Sequence, residues 1–244
     1  MNKKLVLFVF LFFAMAQLWS QSNKKSRIPL LGEQAPVFTA QSTKGTINFP
    51  TDYAGKWKIL FSHPADFTPV CTSELIELAR MQQDFKDLDV ALVVVSTNNL
   101  DLHRMWVKSM EDMIDNDYEH VKIDFPLVDD SKLNIGLEYG MLTPSHESFK
   151  AVRGVFIIDP QNKIRSITFY PMNVGRNMQE IKRMMIALET SDKNSVLIPA
   201  NWEPGKDVLL PYLNAQSYND VINSQHSSKT GDQSEYMFYK KLDK

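Results

Sequence analysis

Residues 58–95 read KILFSHPADFTPVCTSELIELARMQQDFKDLDVALVVV, and this stretch carries the pattern that decides the fold. The mostly apolar run 58–63 predicts a buried strand, which Pro64 ends. The run 90–95 is almost entirely β-branched, which is typical of a strand buried on both faces. Between the two strands, apolar side chains recur on one helical face, at Leu75, Leu78, Phe85 and Leu88. The stretch therefore predicts a strand, a loop, a helix and a second strand.

The alternation of strands and helices continues beyond this stretch. The spacing of apolar residues predicts a helix over 99–114, strands over 152–158 and 164–170, and a helix over 177–189. Strands that alternate with helices predict an α/β layer fold with a central sheet. After Thr190 the pattern becomes irregular and includes prolines at 199, 204 and 211. We therefore expect a core domain over residues 28–190 and an extended C-terminal arm over residues 191–244.

The composition excludes several classes of protein. The chain has 244 residues, of which 43% are apolar and 23% charged, and this excludes a wholly disordered chain. Its 27 basic and 29 acidic residues give a net charge of −2, so no broad cationic surface suggests that it binds nucleic acid. The single cysteine excludes an internal disulfide, a CxxC redox pair and a cysteine-cluster metal site. Because the histidines are scattered along the chain, we expect no metal and no cofactor.

Residues 1–20 have the three regions of a secretory signal peptide. Two lysines precede an apolar run over 5–16, and small or polar residues follow it. The run is shorter than the roughly 20 residues that span a bilayer, so we expect no permanent membrane anchor. The alternative is a buried strand or helix at the start of the fold. We expect cleavage after Ala16 or Ser20 and export to the periplasm or the medium, whereas a retained segment would leave the protein in the cytoplasm.

The last part of the arm contains two contrasting segments. Residues 223–234 are polar and lack an apolar period, so they predict a loop. Residues 235–242 are rich in aromatic side chains and predict a last strand, with a partner subunit as one candidate neighbour.

The one cysteine, Cys71, falls in the first turn of the helix that follows the first predicted strand. The start of a helix presents unpaired N–H groups and the positive end of the helix dipole, and both favour a thiolate over a thiol. The alternative is a small buried core residue, since most lone cysteines are of that kind. Three features favour a reactive thiol. Cys71 lies at a strand-to-helix junction, hydroxyl and imidazole groups flank it, and it has no second cysteine to pair with in a protein expected to be exported.

The residues around Cys71 resemble the active site of the peroxiredoxins, whose motif is Pro-x-x-x-Thr/Ser-x-x-Cys. Pro64, Thr68 and Cys71 occupy those positions, and His63 before the proline resembles the one-cysteine subfamily. The resemblance covers about residues 28–215, looks closest to archaeal members, and includes the later runs AVRGVFIID (151–159), YP…GRN (170–177) and PANW (199–202). It implies a thioredoxin-like fold, an arm that serves dimerisation, and reduction of hydrogen peroxide and organic hydroperoxides in antioxidant defence.

The resemblance also implies roles for individual residues, beginning with Cys71, which attacks the peroxide and becomes a sulfenic acid. A free thiol is roughly a tenth ionised near neutral pH, so complete ionisation adds only about tenfold in rate. Fixing the peroxide and stabilising the developing charge must supply the rest. The supporting residues are Arg153 and Thr68 at the peroxide, the Cys71 N–H as a further donor, Pro64 as a wall against water, His63 as a substrate-binding group, and Arg176 paired with Glu74.

These supporting residues also have simpler structural interpretations. Thr68 stands at the position of a helix N-cap. Arg153 could form a surface ion pair, but an arginine within an apolar strand run needs a buried acidic partner. His63 bonds a backbone group or orients a group near Cys71. The other histidines are assigned to the surface or the core, and five methionines to helix packing: His103, His120, His146 and His226, with Met105, Met110, Met113, Met184 and Met185.

Two departures from the relatives limit the expected function. Some animal one-cysteine members carry a lipase-like Gly-x-Ser-x-Gly run before the active-site strand, whereas residues 54–58 read AGKWK, so we expect no phospholipase activity by that route. Some archaeal relatives have further cysteines in the arm, and this chain has none. Its sulfenic acid therefore needs an external thiol reductant, either a thioredoxin-like protein or a small thiol. The expected assembly is a homodimer or a ring of dimers.

Two other functions compete with a peroxidase. Because ring-forming relatives expose apolar surface when oxidised, an oligomeric holdase-type chaperone or a peroxide sensor is the main alternative. A cysteine hydrolase that uses Cys71 and His63 is a weaker one, since no orienting Asn or Asp context is recognisable.

Overall fold

The computed structural model describes residues 27–113, 120–142, 151–211 and 238–242. The strands in these ranges are β1 (Phe38–Ser42), β2 (Gly45–Phe49), β3 (Trp57–Ser62), β4 (Val90–Ser96), β5 (Leu127–Asp129), β6 (Arg153–Ile158), β7 (Ile164–Tyr170), β8 (Val208–Leu209) and β9 (Tyr239–Lys240). The α-helices are α1 (Pro69–Asp87), α2 (Leu100–Glu111), α3 (Asn134–Glu138) and α4 (Met178–Asn194), and a short 3-10 helix lies at Thr51–Tyr53.

Seven of these strands form one mixed sheet in the order β2-β1-β5-β4-β3-β6-β7. β4 runs parallel to β3 and β5. The other four pairs of neighbouring strands, β2–β1, β1–β5, β3–β6 and β6–β7, are antiparallel. The predicted α/β fold with a central mixed sheet is therefore confirmed. β3 lies inside the sheet, so the loop that leaves its C-terminal end starts from a rigid, fully buried strand.

Both faces of the sheet are covered, and this explains the continuous apolar runs in β3 and β4. On one face, Ile59 and Phe61 pack in a cluster with side chains of α1, α2 and α4. On the other face, Leu60 packs in a second cluster with Phe49 and Tyr139. Because side chains alternate along a strand, β3 supplies both cores at once.

The last helix of the core, α4, is longer than its apolar period predicts. Its start is as expected, because the Asn177 side chain accepts a hydrogen bond from the Glu180 N–H at 3.1 Å. It then continues to Asn194, past the predicted helix end at 189 and past the boundary expected at 190. Arg165 of β7 forms an ion pair with Asp192, which attaches the last helical turn to the sheet.

The arm packs on α4 through a small apolar cluster of Ala187, Val196, Trp202 and Val208. Arg183 of α4 adds a hydrogen bond to the Trp202 carbonyl at 3.0 Å. β9 pairs antiparallel with β8 of the same chain, and the Leu210 N–H donates to the Phe238 carbonyl at 2.8 Å. Within the described residues, the last strand therefore has a neighbour in its own chain, and Phe238 is buried there, while a partner subunit as a further neighbour stays a prediction.

The apolar patterns missed the β1–β2 hairpin and β5. β1 has five residues, of which only the last is buried, and β5 has three residues, so both strands are too short to show a sustained apolar period. The predicted signal peptide at 1–20, the loop at 223–234, and His146 and His226 lie outside the described residues. Among the helices that are described, none has the length and apolar character needed to cross a membrane.

Candidate active site

The fold places Cys71 at the start of α1, directly after the loop that leaves β3. Thr68 is the N-cap residue in an extended conformation and Pro69 is the first helical residue, so Cys71 lies in the first turn, as predicted. The N–H groups of Val70 and Cys71 come before the first intrahelical donor, the Thr72 N–H, and are free to face a ligand. The Cys71 side chain itself is fully buried in the reduced protein.

Arg153, the first residue of β6, reaches the thiol from the neighbouring strand. Its Nη1 lies 3.4 Å from Cys71 Sγ and donates to Glu74 Oε2 at 2.6 Å. Its Nε and Nη2 donate to the Met172 carbonyl at 3.0 and 2.6 Å. The side chain is only 2% exposed, so the surface ion pair considered for Arg153 is wrong and the buried acid that its strand position requires is present.

Glu74 joins the two arginines of the site. It lies three residues after Cys71 on α1 and accepts from Arg176 Nε at 2.9 Å and Nη2 at 2.7 Å. Arg176 also donates to the Ser62 and Gly154 carbonyls at 2.8 and 2.9 Å, and its guanidinium lies 3.4 Å from the Phe61 ring centroid. The expected pairing of Arg176 with Glu74 is thus present, and it connects α1 to β3, β6 and the start of α4.

The electrostatics of this network keep Glu74 ionised. Burial alone would raise the pKa of the Glu74 carboxyl, but the hydrogen bonds and charge of Arg176, with the charge of Arg153, lower it below the usual value. A carboxylate between two guanidinium groups leaves one net positive charge close to Cys71 Sγ. This charge can stabilise the negative charge that develops on a group reacting at the sulfur.

The loop before α1 provides two further predicted residues. Thr68 Oγ1 donates to the Ala65 carbonyl at 2.9 Å and makes no hydrogen bond to the helix start, so its side chain does not act as the N-cap. Since its proton is used there, its lone pairs remain free to accept. Pro64 is buried, as is His63 before it.

His63 is fully buried and is linked to two residues that the sequence did not connect to the site, directly to Asp66 and through Asp66 to His103. Its Nε2 lies 2.8 Å from Asp66 Oδ1, and Asp66 Oδ2 lies 2.7 Å from His103 Nδ1. His103 Nε2 lies 3.0 Å from the Val128 carbonyl. His63 Nδ1 has no hydrogen-bond partner among the described residues. His103 lies in the core, one of the two environments predicted for it, but nothing in the sequence relates it to a loop 37 residues away.

His63, Asp66 and His103 are the only described group of His, Cys, Asp and Glu residues with ligand atoms close enough together for a metal. Two nitrogen or oxygen ligands of a tetrahedral zinc ion stand about 3.3 Å apart, given bonds of about 2.0 to 2.1 Å. The histidine–Asp66 contacts of 2.8 and 2.7 Å are shorter and fit hydrogen bonds. The spacing is therefore that of a hydrogen-bonded unit.

One buried thiol at the start of a helix, held against an arginine in a chain without a second cysteine, defines a thiol oxidoreductase that works with a single cysteine. Family models specify the class further. The AhpC/TSA family matches residues 31–167, and the C-terminal domain of 1-Cys peroxiredoxin matches residues 187–228. The chain therefore belongs to the AhpC/TSA family of peroxiredoxins.

Curated relatives agree with this assignment. A peroxiredoxin of Methanosarcina mazei is 48% identical over 75% of this chain and 84% of its own length. The mitochondrial peroxiredoxin PRX1 of Saccharomyces cerevisiae is 36% identical over 95% of this chain and 88% of its own length. The resemblance of the core to archaeal members is confirmed.

Solved structures confirm the thioredoxin-like peroxiredoxin fold. The yeast mitochondrial 1-Cys peroxiredoxin superposes with a TM-score of 0.75 at 33% identity, covering 88% of this chain and 100% of that one. A cysteine-to-serine mutant of peroxiredoxin 6 from Arenicola marina gives 0.72 at 31% identity, covering 79% and 88%. Family, relatives and fold together make the chain a thiol-dependent peroxidase, which confirms the activity that the motif implied.

Proposed function

We propose that Cys71 reduces hydrogen peroxide and organic hydroperoxides by a one-cysteine mechanism. The observation that supports this most directly is Arg153 Nη1 at 3.4 Å from a fully buried Cys71 Sγ. The thiolate attacks the terminal oxygen of R–O–O–H, which carries the hydrogen. The S–O bond forms as the O–O bond breaks. Cysteine is oxidised to the sulfenic acid, and RO⁻ leaves and takes a proton to become an alcohol or water.

Arg153 stabilises the charge that moves from sulfur to the leaving oxygen. Its guanidinium is held by Glu74 and by the Met172 carbonyl before any substrate arrives, so no reorganisation is needed during the reaction. The Cys71 N–H at the helix start is a second fixed donor. Together they supply the part of the rate that thiol ionisation cannot.

Thr68 and Pro64 position and shield the peroxide. Because the Thr68 hydroxyl donates to the Ala65 carbonyl, its oxygen is oriented to accept the O–H of the peroxide. Pro64 forms a buried wall that excludes water from the reacting atoms.

His63 and Arg176 have different roles. His63 Nδ1 is buried and has no hydrogen-bond partner among the described residues, and as an acceptor it bonds a hydroxyl that the substrate or the sulfenic acid brings. Arg176 supports the site through Glu74, because each of its side-chain nitrogens already donates to the protein.

An external thiol completes the cycle. Its attack on the sulfenic sulfur forms a mixed disulfide and releases water, and a second thiol then regenerates Cys71. The yeast mitochondrial 1-Cys peroxiredoxin, a structural relative, uses glutathione/thioredoxin systems for thiol resolution. A thioredoxin-like protein or a small thiol is the corresponding partner here.

The protein associates as a homodimer through the outer edge of β7. This strand is the last in the sheet, and no described strand pairs with its free edge. Exposed apolar side chains lie on it and just after it, at Phe169, Met172 and Val174. Such an edge is a template for pairing with a second copy, and the C-terminal arm adds contact area in the dimer. An apolar groove of about 400 Å³ beside Phe67 and Trp106 serves contacts between dimers in a ring.

Residues 1–20 act as a cleaved signal peptide, so the mature enzyme works outside the cytoplasm. The run of apolar residues between two lysines and a small-residue junction supports this.

Peroxide consumption with dithiothreitol as reductant tests the enzymatic proposal. The Cys71→Ser variant should lose activity towards both hydrogen peroxide and cumene hydroperoxide, while Ser73→Ala, on the exposed side of the same helix, keeps it. Mass spectrometry after one equivalent of peroxide should show one added oxygen on Cys71. A Cys71→Ser variant that still consumes peroxide would contradict the proposal, and retained client protection by that variant would instead favour a holdase.

A further inference from the structure

The unpartnered His63 Nδ1 is one end of a continuous chain of hydrogen bonds among the described residues. From His63 Nε2 the chain passes to Asp66, from Asp66 to His103 Nδ1, and from His103 Nε2 to the Val128 carbonyl. All three side chains are at least nine-tenths buried. Ser96 Oγ approaches Asp66 Oδ1 at 3.5 Å, so the two histidines are the close partners of the carboxyl group.

The hydrogen-bond partners determine how many protons this chain holds. A carbonyl oxygen can only accept, so His103 Nε2 carries a proton. One more proton lies in each of the two contacts with Asp66. Three protons shared by two imidazoles and one carboxyl group leave the unit without net charge, and a neutral unit is what a buried site favours.

The two histidines differ in where a proton can find an acceptor. His103 has an acceptor at both nitrogens, whereas His63 has one only at Nε2 among the described residues. A second proton on His63 would leave a buried N–H unpaired, and the charge of Arg176 opposes it as well. The charge of Asp129, next to Val128, lies on the His103 side of the unit. The extra proton therefore belongs to the His103–Asp66 contact.

We propose that His103 is a positioning residue that acts through Asp66: it holds His63 as the Nε2–H tautomer and so keeps Nδ1 as a hydrogen-bond acceptor. Without His103, a neutral pair of His63 and Asp66 needs two protons. One of them lies in the contact between His63 Nε2 and Asp66. The other goes to His63 Nδ1, whether Asp66 donates to Nε2 as a carboxylic acid or Nε2 donates to the carboxylate. Nδ1 then becomes a donor and can no longer accept a hydroxyl proton.

The pKa values act in the same direction. Burial lowers the pKa of His63 more than the hydrogen bond and charge of Asp66 raise it, so His63 resists a second proton. Burial raises the pKa of Asp66, but the hydrogen bonds of His103 and His63 lower it overall.

The consequence for catalysis rests on the proposed function, in which His63 Nδ1 accepts a hydroxyl proton. The tautomer of His63 does not depend on the proposed function, and it can be measured directly. Two-bond ¹H–¹⁵N correlation spectra of ¹⁵N-histidine-labelled protein distinguish the two neutral tautomers and the imidazolium form. The His63 signal is assigned by its loss in His63→Gln.

Two variants test the role of His103. In His103→Phe, His63 should show a proton on Nδ1. In Asp66→Asn, the amide carbonyl accepts from His63 Nε2 and the amide N–H donates to His103 Nδ1, so the Nε2–H tautomer should remain. The rate constant for peroxide should fall about tenfold in His103→Phe, the size of one lost hydrogen bond, and less in Asp66→Asn.

Several results would overturn the proposal. They are a wild-type His63 with a proton on Nδ1, an Nε2–H tautomer that persists in His103→Phe, or a stoichiometric divalent metal in the purified protein. If His103→Phe does not fold, the wild-type spectrum still tests the proposal, because it shows whether His63 carries its proton on Nε2 or on Nδ1. If His63→Gln reduces peroxide as fast as wild type while the tautomer is as expected, the catalytic role of His63 fails and the role of His103 stands.

Discussion

At the scale of single residues, Arg153 supplies a part of the peroxidase rate that ionisation of the thiol cannot supply. Complete ionisation adds only about tenfold, whereas an oriented cation acts on the charge that develops as the O–O bond breaks. Arg153 is held by Glu74 and the Met172 carbonyl, so its Nη1 keeps its place beside Cys71 Sγ.

Replacing Arg153 should therefore slow the reaction by more than the loss of thiolate explains. We expect Arg153→Met to lower the second-order rate constant for peroxide by about a hundredfold or more. Arg153→Lys is the matched variant, because it keeps the charge and loses the fork of donors, so its rate should fall between those of wild type and Arg153→Met. The thiol pKa and the rate are measured on the same samples. A rate that falls only in proportion to the thiolate fraction would remove Arg153 from the transition state.

At the scale of elements, Glu74 holds α1, β6 and the start of α4 together through two buried arginines. Breaking a buried ion pair by removing one partner costs roughly 3–5 kcal/mol, because the remaining charge is left uncompensated. Glu74→Gln should lower the free energy of unfolding at pH 7 by an amount of that order. Glu77→Gln, on the exposed side of the same helix, is the control and should change it little.

The same carboxylate predicts how stability depends on pH. Because the pKa of Glu74 in the folded protein is lower than usual, its contribution is fully present above the unfolded-state value and is lost as pH falls through the folded-state value. The difference in unfolding free energy between wild type and Glu74→Gln should therefore shrink on acidification below about pH 4. Urea denaturation between pH 7 and pH 3 measures it. A difference that stays constant over that range would show that the Glu74 charge does not carry the effect.

β7 is the element that should carry the dimer. Phe169 is 38% exposed on this edge strand, and a charge there should oppose pairing with a second copy. We expect Phe169→Glu to shift sedimentation from dimer towards monomer. Val37→Glu, at a more exposed apolar site outside the strands, should stay dimeric. An unchanged dimer in Phe169→Glu, with normal circular dichroism, would place the interface elsewhere.

At the scale of the whole molecule, one cysteine in 244 residues makes the catalytic cycle depend on an outside thiol. With peroxide alone, we expect one equivalent per chain to form the sulfenic acid of Cys71. Excess peroxide should consume a second equivalent as it converts Cys71 to sulfinic acid, and consumption should then stop. Added thiol should restore turnover through a mixed disulfide, which mass spectrometry detects before full reduction. Sustained turnover without thiol would rule out this scheme.

The N-terminal segment predicts where the molecule functions. When the full chain is produced in a bacterial host with an export pathway, the mature protein should begin at Gln17 or Gln21 and be found outside the cytoplasm. N-terminal sequencing of each fraction measures this. A variant with charged residues placed in the run 5–16 is the control and should stay in the cytoplasm uncleaved. A wild-type chain that keeps Met1 in the cytosolic fraction would disprove export.

The sequence alone determined the central strand–helix–strand unit, the place of Cys71 in the first turn of α1, and the need of Arg153 for a buried acid. These depend on near neighbours: apolar periodicity, a proline at the helix start, and a charge within an apolar strand. The activity followed from the motif around Cys71, because its spacing lies within one loop and one helical turn.

The resemblance implied Arg153 and the Arg176–Glu74 pair, but only the tertiary structure showed their contacts around the thiol and linked Asp66 and His103 to His63. Arg153 reaches Cys71 across 82 residues, and His103 reaches Asp66 across 37, so no local pattern relates them. The short strands β1, β2 and β5 and the pairing of β9 with β8 likewise depend on the neighbours that packing provides. The proton arrangement at His63 follows the same rule, since it is set by the Val128 carbonyl at the far end of the hydrogen-bond chain, a partner that folding alone supplies.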